Sequence, residues 1–261
     1  MKEPGSHLGN AFGIRLYLHW TFYLLLAWVA FSHADEGWAS ASFAILFVSA
    51  IFICVLLHEL GHSLAARAFG IDTHSITLYP IGGVARLTSM PRESHKEIAI
   101  ALAGPAVNLA IVCLLVPLLF LFSPQPWKES GLLMQLGVSV AAGNIALFLF
   151  NLLPFFPMDG GRVLRALLSW KGSHVRATNI AARLGQVAAL GFIGFGLFGP
   201  LPLSLAFIGV FLILASESER RLVRQFPDGP PSFVPPFDHE KVTTTTKTIV
   251  IHEDDWEVSP R

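Results

Sequence analysis

The chain has 261 residues, 53% of them hydrophobic and only 14% charged, with 21 Phe and 6 Trp. An average soluble domain is about 25% charged, so this composition excludes a soluble enzyme of this size and points to the bilayer. The formal net charge is zero, which leaves no basic field to recruit nucleic acid.

Residues 1–13 are polar and Gly-rich and read as a short N-terminal arm. The first apolar run, 14–31, ends near Ser32-His33-Ala34, which has the outline of a signal-peptide cleavage site. Its two Trp, its weakly basic flank and the further apolar runs behind it favour a retained span. A second span is expected over 43–69, with Gly70 as its C-cap. Residues 74–79 and 84–88 are β-prone and flank Pro80-Ile81-Gly82-Gly83, which predicts a hairpin turning at the glycine pair. A third span is expected over 95–122, a Pro-rich turn over 123–130 and a fourth span over 132–153. The segment Phe155-Phe156-Pro157-Met158-Asp159-Gly160-Gly161 breaks the helix. An amphipathic helix at 162–170 and two more spans, 180–198 and 201–216, complete a six-span core over 14–216. Residues 217–261 read as a mostly disordered tail. Cys54 and Cys113 lie in apolar runs and read as small buried hydrophobes.

The expected class is therefore an all-α polytopic membrane protein, with six transmembrane helices and a small β-hairpin on the cytosolic side. Seventeen of the 18 Lys and Arg fall on one side of this layout, the exception being Lys128. That asymmetry places the hairpin and both termini in the cytosol.

Within the second span lies His58-Glu59-Leu60-Gly61-His62. Positions i and i+4 share a helix face, so His58 and His62 can aim two imidazoles at one metal. Glu59 stands beside them as a general base for a water molecule. Ionisable groups are costly in an apolar span and are functional by default. Catalytic zinc takes three protein ligands and keeps a fourth position open. Asp159, at matching depth in the broken segment, is the best third candidate; the alternative is a loop Asp capping the helix at 162–170. His74 and His95 are looser candidates. Asn144 and Asn151 are seven apart and share a face of the fourth span. They are candidate substrate contacts, together with Gly82 and Gly83, while Asn108 reads as an interhelical hydrogen-bonding residue.

Together these residues resemble the site-2 protease family of intramembrane zinc metalloproteases. Ala103-Gly104-Pro105-Ala106-Val107-Asn108 is similar to its Gly-Pro motif, and Asn151 through Arg162 to its Asn…Pro-x-Asp-Gly motif. Gly13-Ile14 with His19-Trp20, and Leu78 through Val84, resemble the branch related to sporulation-factor proteases. The resemblance implies one zinc ion on His58, His62 and Asp159, and a substrate-holding role for Asn151. It also implies a transmembrane protein substrate and residence in a prokaryotic plasma membrane. That branch often carries a C-terminal cystathionine-β-synthase-type domain; residues 217–261 are too few for one, so none is expected. Two alternatives share the metal site: a membrane zinc transporter, and an inactive relative that only binds. Outer span halves nearly free of acids and histidines argue against the first, and an intact Glu59 against the second.

Overall fold

The computed structural model describes residues 5–89, 93–122, 131–199 and 202–225. The expected turn at 123–130 and the tail beyond 225 lie outside them. Among the described residues are strands β1 (Ser6–Ala11), β2 (Ile14–Leu18), β3 (Thr73–Tyr79) and β4 (Gly82–Leu87). The helices are α1 (Thr21–Ser32), α2 (Trp38–Ala68), α3 (Ser94–Phe122), α4 (Leu132–Asn151), α5 (Asp159–Ser169), α6 (His174–Phe198) and α7 (Ser204–Gln225).

Four helices, α2, α3, α4 and α6, are long and apolar enough to cross a membrane. The chain is thus a mostly helical, multi-pass membrane protein with a small sheet. Its interior is polar and small-sided: His58, Asn108, Asn144, Thr178, Ser216 and a run of alanines are buried. Large side chains such as Phe31, Phe120 and Phe198 point outward, as a lipid-facing surface requires.

The sheet has the order β1-β2-β3-β4, with β2 parallel to β3 and the outer pairs antiparallel. This corrects the N-terminal expectation. The polar arm supplies β1, and the apolar run 14–31 divides into β2 and a 12-residue helix. The physical cause is tertiary: β2 finds partners on both edges, which the local pattern does not announce. Ile14, Ile76 and Leu60 form one apolar cluster, and Leu18, Leu78 and Phe22 a second. Both clusters seat the sheet on the later half of α2.

The hairpin turn is Pro80-Ile81, and Gly82-Gly83 begins β4 opposite Tyr79 and Leu78. Proline suits the first central position of a tight turn. The glycines do not make this turn. α2 ends where expected: Gly70 is left-handed at φ +76°, and the Ile71 amide donates to Ala66 O at 3.0 Å.

α5 begins at Asp159, earlier than the 162–170 expected. A Cβ on Gly160 or Gly161 would overlap the carbonyls of Leu152, Leu153 and Phe155. These two glycines therefore let the turn lie against the helix start. The turn is also held from below, where Ser216 Oγ donates to Phe156 O at 2.8 Å. The final helix continues through the charged residues to Gln225, so 217–225 is helix and not tail. Intrahelical pairs explain the extension, with Arg220 2.9 Å and Arg221 3.4 Å from Glu217.

One buried ion pair ties the bundle together near the α5 start. Arg165 Nε donates to Glu97 Oε1 at 2.7 Å, and a second nitrogen lies 3.6 Å from Glu219. The guanidinium also sits 5.0 Å from the Phe156 ring centroid. Removing one partner leaves the other buried without its closest opposite charge. Arg165→Leu is therefore expected to cost about 3–5 kcal/mol, read as a large fall in unfolding temperature in detergent. The double variant with Glu97→Leu should cost less than the sum of the two single changes; strict additivity would disprove the coupling.

Candidate metal centre

α2 presents His58 and His62 on its buried face, four residues apart. The first turn of α5 presents Asp159, also buried. His58 Nε2 lies 3.1 Å from Asp159 Oδ2, His62 Nε2 lies 3.2 Å from the same oxygen, and the two nitrogens are 3.0 Å apart. Among the described residues this is the one group of three or more such side chains arranged to hold a metal ion.

The far side of each ring decides what these atoms are. His62 Nδ1 is 2.7 Å from Ile100 O, a carbonyl that can only accept, so Nδ1 carries a proton, and in the neutral ring, the form that binds a metal, Nε2 is bare. His58 Nδ1 is 2.5 Å from Asn108 Oδ1. With both Nδ1 atoms donating and both rings neutral, two nitrogen lone pairs and a carboxylate oxygen face one another. Such a set repels itself until a positive charge joins it, a metal ion or, in its absence, a proton on one of the rings. Ligands about 2.0–2.1 Å from one tetrahedral zinc are separated by about 3.3–3.4 Å, close to the distances observed. Two imidazoles and one carboxylate also match the donor preferences of zinc, with the fourth position left to water.

Glycines let the backbone close around this centre. A Cβ on Gly104 of α3 would overlap Nε2 of both histidines. A Cβ on Gly61 would sit 2.9 Å from Ala103 O, so α2 and α3 meet at small residues. Glu59 is half-buried, and Gly83 of β4 lies flat against it: a Cβ there would overlap the Glu59 side chain. Close approach to Glu59, not turn geometry, is the reason for glycine at 83. Gly82 is one residue farther out, at φ +137°.

Asn144 is fully buried and hydrogen-bonded within the bundle. Asn151 is half-buried at the end of α4, and its Nδ2 donates to Leu147 O at 3.0 Å. His74 is on β3 beside Arg15, and His95 pairs with Glu93 at 3.5 Å; neither belongs to the group of three. Cys54 is buried beside Asn144, whereas Cys113 is exposed. Two participants have no role at the centre assigned from the sequence, Gly104 and the Ile100 carbonyl. Gly104 carried a signal, a glycine beside a proline within an apolar helix. The Ile100 carbonyl carried none.

Comparison with known proteins points to the same metal. The model of peptidase family M50 matches residues 46–139 and 125–192. Zinc metalloprotease MJ0392 of Methanocaldococcus jannaschii is 38% identical over 81% of this chain and 59% of its own length. Stage IV sporulation protein FB of Bacillus subtilis is 25% identical over 63% of this chain and 54% of its own. The chain thus spans little more than half the length of these relatives. Among solved structures, the site-2 protease from Methanocaldococcus jannaschii matches with a TM-score of 0.62 and 35% identity. That match covers 84% of this chain and 96% of the other.

Proposed function

The chain belongs to peptidase family M50, and from that premise we propose that it is an intramembrane zinc protease. It hydrolyses peptide bonds within or beside the transmembrane segments of membrane protein substrates. The observation that carries the reading is the convergence of His58, His62 and Asp159 with Glu59 alongside, in an apolar helix.

His58, His62 and Asp159 hold the ion. Bound there, zinc supplies Lewis acidity, polarising the scissile carbonyl and lowering the pKa of a water molecule to about 7. Glu59 takes the proton of the attacking water and passes it to the leaving amine. A helical substrate must unwind before its peptide bonds are reachable. β4 ends the sheet next to Glu59 and offers the unwound segment a strand to pair with, through the main chain at Gly82 and Gly83. Asn151 exchanges its bond to Leu147 O for one to the substrate main chain.

The proposed topology is six crossings with both termini in the cytosol, in a prokaryotic plasma membrane. Strand parity supports it. β2 and β3 run parallel and in register, so Ile14 and Thr73 lie on one side of the membrane. If α2 crosses between them, the segment before it crosses too. β2 and α1 end to end reach about 35 Å, enough for a hydrocarbon core of about 30 Å. A strand is tolerated at that depth because both of its edges are paired. α7, 22 residues and about 33 Å long, makes the sixth crossing, with its charged last turns at the cytosolic interface.

The test is cleavage of a single-span substrate by purified protein in detergent. A cut inside the span, lost on chelation and regained with zinc, is the expected result. A zinc-loaded protein that cuts none of a panel of unrelated spans would leave the inactive-relative reading in its place.

A further inference from the structure

We propose that Asn108 and Asn144 are positioning residues that fix His58 in the tautomer with a bare Nε2, and that the carbonyl of Val140 sets the direction of this relay. The proposal rests on the reading that His58 is a metal ligand. It gives Asn144 a different task from the substrate contact its sequence position suggested.

Four hydrogen bonds link three helices. His58 Nδ1 meets Asn108 Oδ1 at 2.5 Å, Asn108 Nδ2 donates to Asn144 Oδ1 at 2.9 Å, and Asn144 Nδ2 donates to Val140 O at 2.8 Å and to Cys54 Sγ at 3.2 Å. The path leaves α2 at His58, crosses α3 and α4, and returns to α2 one turn earlier at Cys54. His58, Asn108, Asn144 and Cys54 are all buried, so water does not stand in for a missing partner.

An amide side chain can face either way, so an isolated Asn–Asn–His row has two directions of equal merit. This row does not. Val140 O is a backbone carbonyl and can only accept, so it takes the NH₂ of Asn144. That turns Asn144 Oδ1 toward Asn108, which must answer with its own NH₂. Asn108 therefore shows its oxygen to His58, and His58 must answer with Nδ1–H. The lone pair is then left on Nε2, the atom facing His62 and Asp159. His62 reaches the same state by one direct bond to Ile100 O. Both rings are thus oriented in the end by a main-chain carbonyl that no side-chain rotation can reverse.

The experiment is zinc affinity by chelator competition on the full-length protein in detergent, with unfolding temperature recorded for each variant. Outer-shell partners of metal-binding histidines typically change affinity by about 10–100-fold. Asn108→Leu is expected to lose that much. Asn144→Leu should fall in the same direction by less, because it frees Asn108 to flip. Asn108→Asp keeps an acceptor opposite Nδ1 and should recover most of the loss. A purely structural amide predicts the reverse order, since a buried carboxylate disturbs the bundle more than leucine does. Wild-type affinity in Asn108→Leu, or Asp binding no better than Leu in folded protein, overturns the proposal. If Asn108→Leu does not fold, unchanged affinity in Asn144→Leu does so. Wild-type protein that binds no zinc overturns the underlying metal assignment instead, before any variant is compared.

Discussion

Glu59→Gln is expected to lower kcat on a transmembrane substrate by about 10²- to 10⁴-fold, with one zinc per chain still bound. Glutamine has nearly the same size and cannot accept the proton of the attacking water. Glu59 is not one of the three residues whose ligand atoms converge, so the ion keeps all its protein contacts. Its neighbour at the closest approach is the Gly83 backbone, which an amide of equal volume does not displace. The measurement pairs cleavage rate with zinc content for wild type and variant. Wild-type turnover in the variant would remove Glu59 from the reaction. Loss of zinc together with loss of cleavage would mean that the residue supports the metal rather than the proton transfer.

Two alanines placed on either side of the centre should fail in different ways. In Gly104→Ala the new methyl group meets both Nε2 atoms, and neither ring can withdraw, because each is anchored through Nδ1. Zinc affinity should collapse, and cleavage with it. In Gly83→Ala the methyl meets the Glu59 side chain. Zinc should stay, while displacement of the base by about 1 Å lowers kcat by about 10²-fold. Gly191→Ala is the control: a Cβ there meets nothing within 4 Å. Overpacking costs typically about 1–3 kcal/mol, so unfolding temperatures are needed to separate a lost site from a lost fold. Equal zinc affinity in Gly104→Ala and Gly191→Ala would contradict the close approach of α3.

The sequence pattern made α2, α3 and α4 legible to within a few residues at most of their ends, because a bilayer demands long uninterrupted apolar runs. The i, i+4 spacing likewise exposed His58 and His62, and the broken helix drew attention to Asp159. What stayed hidden depends on contacts between distant segments. β2 merges into the apolar run of α1 with no change of composition, and its pairing with β3 spans the whole α1–α2 hairpin. Gly82-Gly83 looked like a turn because a glycine pair is the commonest local sign of one. The real constraint at Gly83 is a side chain on another element. Asn108 was legible as buried and polar. That its oxygen meets His58 depends on the crossing of α2 and α3, which no period along one chain encodes. The charges after Ser216 resembled the start of a tail because Glu219 finds its partner, Arg165, on another helix, while Glu217 pairs within α7 itself.

The order of the sheet also has a meaning in time. β1 and β2 leave the ribosome before β3, and the second edge of β2 stays open until Tyr79 has been made. By then α1 and α2 are already synthesised, so His58, Glu59 and His62 enter the bilayer before the sheet beside them closes. Asp159 follows 97 residues after His62. On the proposed assignment, a nascent chain passes the insertion machinery with two ligands and a base but no complete centre. The proposed activity is thereby withheld while the chain is surrounded by the helices of its own biogenesis.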